Sequence, residues 1–74
     1  MTTRELGRIV RDARRAQGLR QQQLAAAAGV GVRFLIELER GKPTAQLGRT
    51  LAVVDALGCR IQIAPPAAIR RDRA

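Results

Sequence analysis

The sequence predicts an all-α domain of four helices followed by one short β-strand, and three observations carry that expectation. Apolar residues recur at helical spacing in four successive segments. Each of those segments closes on a glycine: Gly18, Gly29, Gly41 and Gly58. After Gly58 the pattern switches to strict alternation in "CRIQIA", the period of a half-buried strand.

Leu6, Ile9, Val10 and Ala13 fall at i, i+3, i+4 and i+7, one stripe of a first helix running from about Thr3 to Gln17. Arg4, Arg8, Arg11 and Arg15 lie around its solvent side, with Glu5 and Asp12 able to pair at helical spacing. Gly18 caps its end, and Leu19 can fold back onto it. A second, short helix spans about Gln21 to Ala28, burying Leu24, Ala25 and Ala28, and closes at Gly29. A third runs from about Val32 to Arg40, between Gly31 and Gly41, with Pro43 reinforcing the stop. Thr44 is expected to cap a fourth helix, in which Leu47, Leu51, Val54 and Leu57 repeat at three- and four-residue intervals up to Gly58.

In the strand, Cys59, Ile61 and Ile63 share one side, with Arg60 and Gln62 on the other. One strand alone cannot satisfy its backbone, and the chain offers no second. The simplest solution is pairing with the same strand of another copy across a two-fold axis; the competing reading is an irregular C-terminal extension. "PPAAIRRDRA" then breaks the pairing and leaves as a basic tail. The expected organisation is a helical domain over 1–58, a dimerisation strand over 59–64 and a flexible basic tail over 65–74.

Seventy-four residues with 46% apolar content make one small domain. A core of this size supplies roughly 3–5 kcal/mol, so a stabilising partner, often a second copy, is expected. The lone Cys59 excludes an intramolecular disulfide and a Cys-rich metal site, and its apolar neighbours suggest a buried, inert thiol. The N-terminal "MTTRELGRIVRDARR" has no apolar signal core, and no stretch approaches the roughly 18 apolar residues of a membrane span. A soluble, cytoplasmic protein is expected.

Formal net charge is +8, from 14 basic against 6 acidic residues. That balance calls for an anionic partner, and nucleic acid is the usual one. A membrane surface is the alternative, but no segment sets bulky apolar anchors opposite a basic face. Thirteen of the 14 cations are arginine and only Lys42 is lysine, a bias that plain surface solvation does not require. Catalysis is disfavoured. There is no His or Ser, no Gly-rich phosphate loop, and Cys59 has no neighbouring base. No cofactor or metal is implied. RNA is a poor fit because Phe34 is the only aromatic residue available for stacking.

The second and third helices are joined by three residues centred on a glycine. Counting from Gln21, a small residue stands four later (Ala25), a glycine eight later (Gly29), and apolar anchors at Leu35 and Leu38. Ala25 lets the two helices cross closely. Gly29 can take the left-handed conformation of a tight inter-helix turn. Leu35 and Leu38 anchor the third helix, which leaves its opposite face projecting outward. This is a helix-turn-helix arrangement.

At these positions the chain resembles the lambda-repressor-like (Cro/XRE) helix-turn-helix family. The segments "ARRAQGLRQQQLAAAAGVGVRFLIELERGK" and "LAVVDALG" carry the match, which covers residues 3 to 58. Gly18-Leu19, Gln21, Leu24-Ala25, Gly29-Val30, Leu38-Glu39 and Gly41-Lys42 make it specific. The family usually caps its second helix with Thr or Ser, where this chain has Arg20, and its third with Ser or Thr, where this chain has Gly31. Glycine costs only a few tenths of a kcal/mol against serine at such a cap.

The resemblance implies that outward residues near the start of the third helix enter the major groove of DNA: Val32, Arg33, Ile36 and Glu37. Arginine matches the O6 and N7 acceptors of guanine with two hydrogen bonds, which favours Arg33. Val32 can pack on a thymine methyl. Glu37 either accepts from cytosine N4 or holds Arg33 one turn away. Ile36 is either another methyl contact or part of a protein-facing patch, and Phe34 fits the domain edge better than DNA. Gln21 matches a phosphate-binding position of the family. Arg20 either adds a phosphate contact or is solvated. Lys42 looks like a second phosphate clamp, or a charge neutralising the helix C-terminus, and both roles are compatible. Arg14 and Glu39 match a structural ion pair of the family. Arg49 is left without a role.

Within the family, "CRIQIA" and the basic tail look most like HipB-type antitoxins, which dimerise partly through such a strand, repress their own operon and bind a kinase-like toxin. The function implied is a homodimeric repressor of an inverted-repeat operator and the antitoxin of a toxin–antitoxin pair. Two alternatives stand beside it. One is a module whose main role is to restrain a protein partner, motivated by Phe34, Ile36 and the tail; the other is a stand-alone phage-type regulator.

Overall fold

A computed structural model of the chain describes residues 1–66. Four helices follow one another: α1 (Thr3–Ala16), α2 (Gln21–Ala28), α3 (Val32–Glu39) and α4 (Leu47–Ala56). α1 packs on α3, while α2 packs on both α3 and α4. Val10, Leu24, Ala25, Leu35, Leu38, Val53 and Leu57 form the buried core, with every helix contributing.

Local chemistry sets the helix ends. Thr2 caps α1 by accepting from the Glu5 amide at 3.0 Å, and the Glu5 carboxylate accepts from the Thr2 amide, a reciprocal capping box. α1, α3 and α4 stop one residue short of the expected ends and α2 matches its expected span. The start of α4 differs. Gln46, in extended conformation, is its N-cap, and Thr44 is an exposed turn residue. Ala45 packs against the core, and the helix starts two residues later than a Thr44 cap would set it.

The faces of α1 and α4 also depart from the expected stripes. Leu47 and Leu51 are 69% and 40% exposed, whereas Thr50 and Val53 are buried beside Val54 and Leu57. In α1, Ile9 is 48% exposed. Two apolar stripes one residue apart satisfy the same helical period, and the packing partner, not the period, selects between them.

No strand forms among the described residues beyond Gly58. Cys59 instead completes the end of α4, its amide donating to the Val54 carbonyl at 3.1 Å. The thiol is half-buried against the core, while Ile61 and Ile63 are exposed. The expected common face of Cys59, Ile61 and Ile63 is therefore not realised. Alternation encodes a strand only where a second backbone supplies the ladder, and none does so among the described residues. Of the tail expected over 65–74, residues 67–74 lie outside the described residues.

Two glycines position α3. Gly29 turns the chain at φ 71° and lets the Val30 amide reach the Ala25 carbonyl at 3.0 Å. Gly7, in mid-α1, lies against α3. A Cβ there would collide with the Leu38 carbonyl oxygen and stand 2.7 Å from that of Glu39, so only glycine permits this crossing.

Candidate nucleic-acid interface

The N-termini of α2 and α3 both lack a side-chain cap. Arg20 stands at the cap of α2 and Gly31 at that of α3. An arginine side chain offers no acceptor, so only the reverse half of a capping box forms there: the Arg20 amide donates to Gln23 Oε1 at 2.8 Å. First-turn amides left open in this way favour an anion.

A buried ion pair fixes the angle of α3. Arg14 Nε donates to Glu39 Oε2 at 2.7 Å, and its two terminal nitrogens donate to Glu39 Oε1 at 3.0 Å and to the Leu19 carbonyl at 2.9 Å. The hydrogen bonds to Glu39 raise the Arg14 pKa above the ordinary arginine value, against the opposing effect of burial. Gln21 Nε2 adds a bond to Glu39 Oε1 at 3.1 Å. The first residue of α2 is thereby tied to the last of α3, and every oxygen of the buried carboxylate has a donor.

At the start of α3, Val32 and Arg33 are exposed; Ile36 and Glu37, one turn on, are half-buried. The four share one face of the helix. Phe34 turns toward the core. Glu37 does not hold Arg33; its Oε1 accepts from Lys42 Nζ at 3.0 Å. Lys42 reaches it because Gly41, at φ 87°, turns the chain back so that the Lys42 amide also meets the Glu37 carbonyl at 3.1 Å. Among the described residues Arg33 has no ion-pair partner, so its donors are available.

α3 lies between two open clefts. One, of about 510 Å³, is lined by Arg11, Arg15, Arg20 and Arg40 together with Ile36 and the Arg14–Glu39–Gln21 network. The other, of about 420 Å³, is lined by Arg33, Lys42 and Arg49 together with Phe34 and Glu37. The expected residues therefore divide: Arg20, Gln21 and Ile36 fall in the first cleft, Arg33, Glu37 and Lys42 in the second. Cys59 and Ile61 stand apart, in an apolar groove with Leu6, Ile9 and Leu57. Arg11, Arg15, Arg40 and Gln22 carried no assignment from sequence, and neither did Arg49. The signal was present for two of them, since Arg11 and Arg15 stand one turn apart on one face of α1.

Among the described residues no three His, Cys, Asp or Glu side chains come together to hold a metal ion. No helix among them is long and apolar enough to cross a membrane.

Two helices at a glycine turn, an anchored second helix and its cationic margins define a helix-turn-helix domain. The chain belongs to the Cro/XRE-type helix-turn-helix family, whose sequence pattern, described as helix-turn-helix, matches residues 10–63. It is similar to the protein named "Uncharacterized HTH-type transcriptional regulator y4mF" of Sinorhizobium fredii, with 50% identity over 70 residues, spanning 95% of this chain and 92% of that relative.

Proposed function

We propose that the chain is a non-enzymatic, sequence-specific DNA-binding transcriptional repressor that acts in the cytoplasm as a homodimer. The observation that carries this reading is the exposed Val32–Arg33 face of α3, set between two arginine-bearing clefts. A helix in the major groove needs base-reading side chains on its face and cations on both margins. Family membership and the name of the Sinorhizobium relative support the same reading.

Two copies would place their α3 helices in successive major grooves of an inverted repeat, roughly 34 Å apart or a multiple of that. Among the apolar side chains that one chain leaves exposed, Ile9, Leu51, Ile61 and Ile63 are the ones a second copy would cover. Pairing of residues 59–64 between copies would turn the alternating segment into the strand that a single chain does not form. We further read the protein as the antitoxin of a pair with a kinase-like toxin. The C-terminal resemblance to HipB-type antitoxins supports that part.

The test is selection of purified protein against fragments of its own genome. Enrichment of one inverted repeat upstream of its own gene supports an autoregulating dimer, and a kinase-like gene beside it supports the antitoxin role. Enrichment of a repeat with no such neighbour favours a stand-alone regulator. No enrichment above background would leave the protein-restraining module, for which the exposed Ile61 and Ile63 would be the contact surface.

A further inference from the structure

We infer that the cleft on the α1 side of α3 seats one strand of the DNA backbone, with Arg11, Arg15, Arg20 and Arg40 as its phosphate contacts. The inference rests on the DNA-binding reading above and assigns roles to residues of α1 and the α3 terminus.

The charges of this cleft do not balance. The single acid lining it is Glu39, and its carboxylate is taken up by Arg14 and Gln21. The remaining guanidiniums lack compensation. Arg11 has only Asp12, at 3.8 Å and well exposed, and its Nε is buried with no hydrogen-bond partner. The side chains of Arg15, Arg20 and Arg40 have no ion-pair or hydrogen-bond partner among the described residues. Four groups that only donate are thus gathered around a volume of about 510 Å³.

The complement of such a site accepts hydrogen bonds, carries negative charge and is longer than one small anion. Arginine forks match phosphate oxygens in pairs, and the uncapped start of α2 opens beside the same cleft. The location decides which phosphate. A major groove is about 12 Å wide and bordered by a backbone strand on each side. Arg33, Lys42 and Arg49 stand on one side of α3 and this cleft on the other. A helix seated in the groove therefore brings the second strand to the α1 side. Arg14 takes no part, because each of its three nitrogens is already engaged within the fold.

The test uses the full chain with Arg11→Gln, Arg15→Gln and Arg40→Gln combined, on the operator that the wild type selects. Binding is followed by fluorescence anisotropy from about 50 to 200 mM salt. The slope of log K against log salt is expected to shrink by about 0.9 for every phosphate that a subunit no longer neutralises. Affinity should fall roughly tenfold or more at the upper salt while the preferred bases stay the same. Asp55→Asn, which changes one charge at an exposed position of α4 that lines neither cleft, should leave the slope unchanged. If the triple variant does not fold by circular dichroism, Arg15→Gln and Arg40→Gln singly read the same slope in smaller steps. An unchanged slope in variants that fold would overturn the inference, as would altered base preference with the slope intact. A wild type that binds no operator would instead overturn the DNA-binding reading.

Discussion

Arg14 and Glu39, on different helices and 25 positions apart, form a two-pronged pair with hydrogen bonds of 2.7 and 3.0 Å, buried beneath the surface where α1, α2 and α3 meet. The pair sets the orientation of α3 against the start of α2. Both are committed to the fold, and this separates them from the arginines that line the clefts.

Removing one partner strands the other charge in a buried site, at a cost of about 3–5 kcal/mol. That equals the roughly 3–5 kcal/mol a core of this size supplies. Arg14→Ala and Glu39→Ala are therefore each expected to leave the chain largely unfolded at room temperature, as read by urea titration with circular dichroism. Replacing both together by apolar residues of similar volume is expected to cost much less. A loss below about 1 kcal/mol for either single change would show that the pair is not buried in solution as it is here.

Gly7→Ala reverses an ordinary expectation. Alanine is favoured over glycine inside a helix by about 1 kcal/mol. Here the added Cβ would meet the Leu38 and Glu39 carbonyl oxygens, and overpacking costs about 1–3 kcal/mol or more. Both oxygens belong to backbone and cannot swing aside, so the collision wins. Thermal unfolding is expected to show net destabilisation, and a raised Tm would contradict the close approach of α1 to α3.

Acid should loosen the start of α1. The Thr2 backbone hydrogen bond, then that of its side chain, lowers the Glu5 pKa below its ordinary value. A lowered folded-state pKa gives stability that is present above the unfolded value of about 4.3 and lost as pH falls through the folded value. The amide signals of Thr2 and Glu5 in an NMR titration are expected to shift over that acidic window. Glu5→Gln should remove the carboxylate-linked shift at Thr2. A Thr2 amide that does not respond to pH would contradict the capping box.

Lys42 holds Glu37 on the surface at 3.0 Å, and exposed pairs are worth only about 0–1 kcal/mol. Exchange of that partner for a phosphate is therefore inexpensive. Lys42→Gln is expected to leave stability nearly unchanged and to weaken DNA binding uniformly across sequences, with the salt slope reduced by about 0.9. Anisotropy titrations on two unrelated operators check this, and a loss confined to one operator would contradict it.

How much of this was legible in the sequence follows from how local each signal is. Gly18, Gly29, Gly41 and Gly58 all adopt positive φ and close a helix or its following turn, because a chain reversal needs that conformation wherever it occurs. Leu24, Leu35 and Leu38 are core residues as their spacing suggested. What lay beyond reach depends on partners distant in sequence. Leu47 and Leu51 were exchanged for Thr50 and Val53 because only the packing of α2 selects the buried stripe. Glu37 found Lys42, five positions away, because Gly41 folds the chain back beside it. The arginine cleft draws on α1, α2 and the end of α3, a grouping that no linear spacing announces. The interval from Cys59 to Ile63 encodes alternation, but whether that becomes a strand depends on a second backbone to pair with.

The central claim is that the outward face of α3 reads bases, and Arg33→Ala tests it most directly. The variant and the wild type are each taken through the same operator selection, and their base preferences compared position by position. The variant is expected to fold, to lose about 1–3 kcal/mol of discrimination at one base position of each half-site, and to keep its preferences elsewhere. An Arg33→Ala protein with an unchanged sequence preference would remove Arg33 from the readout and contradict the placement of this face in the groove.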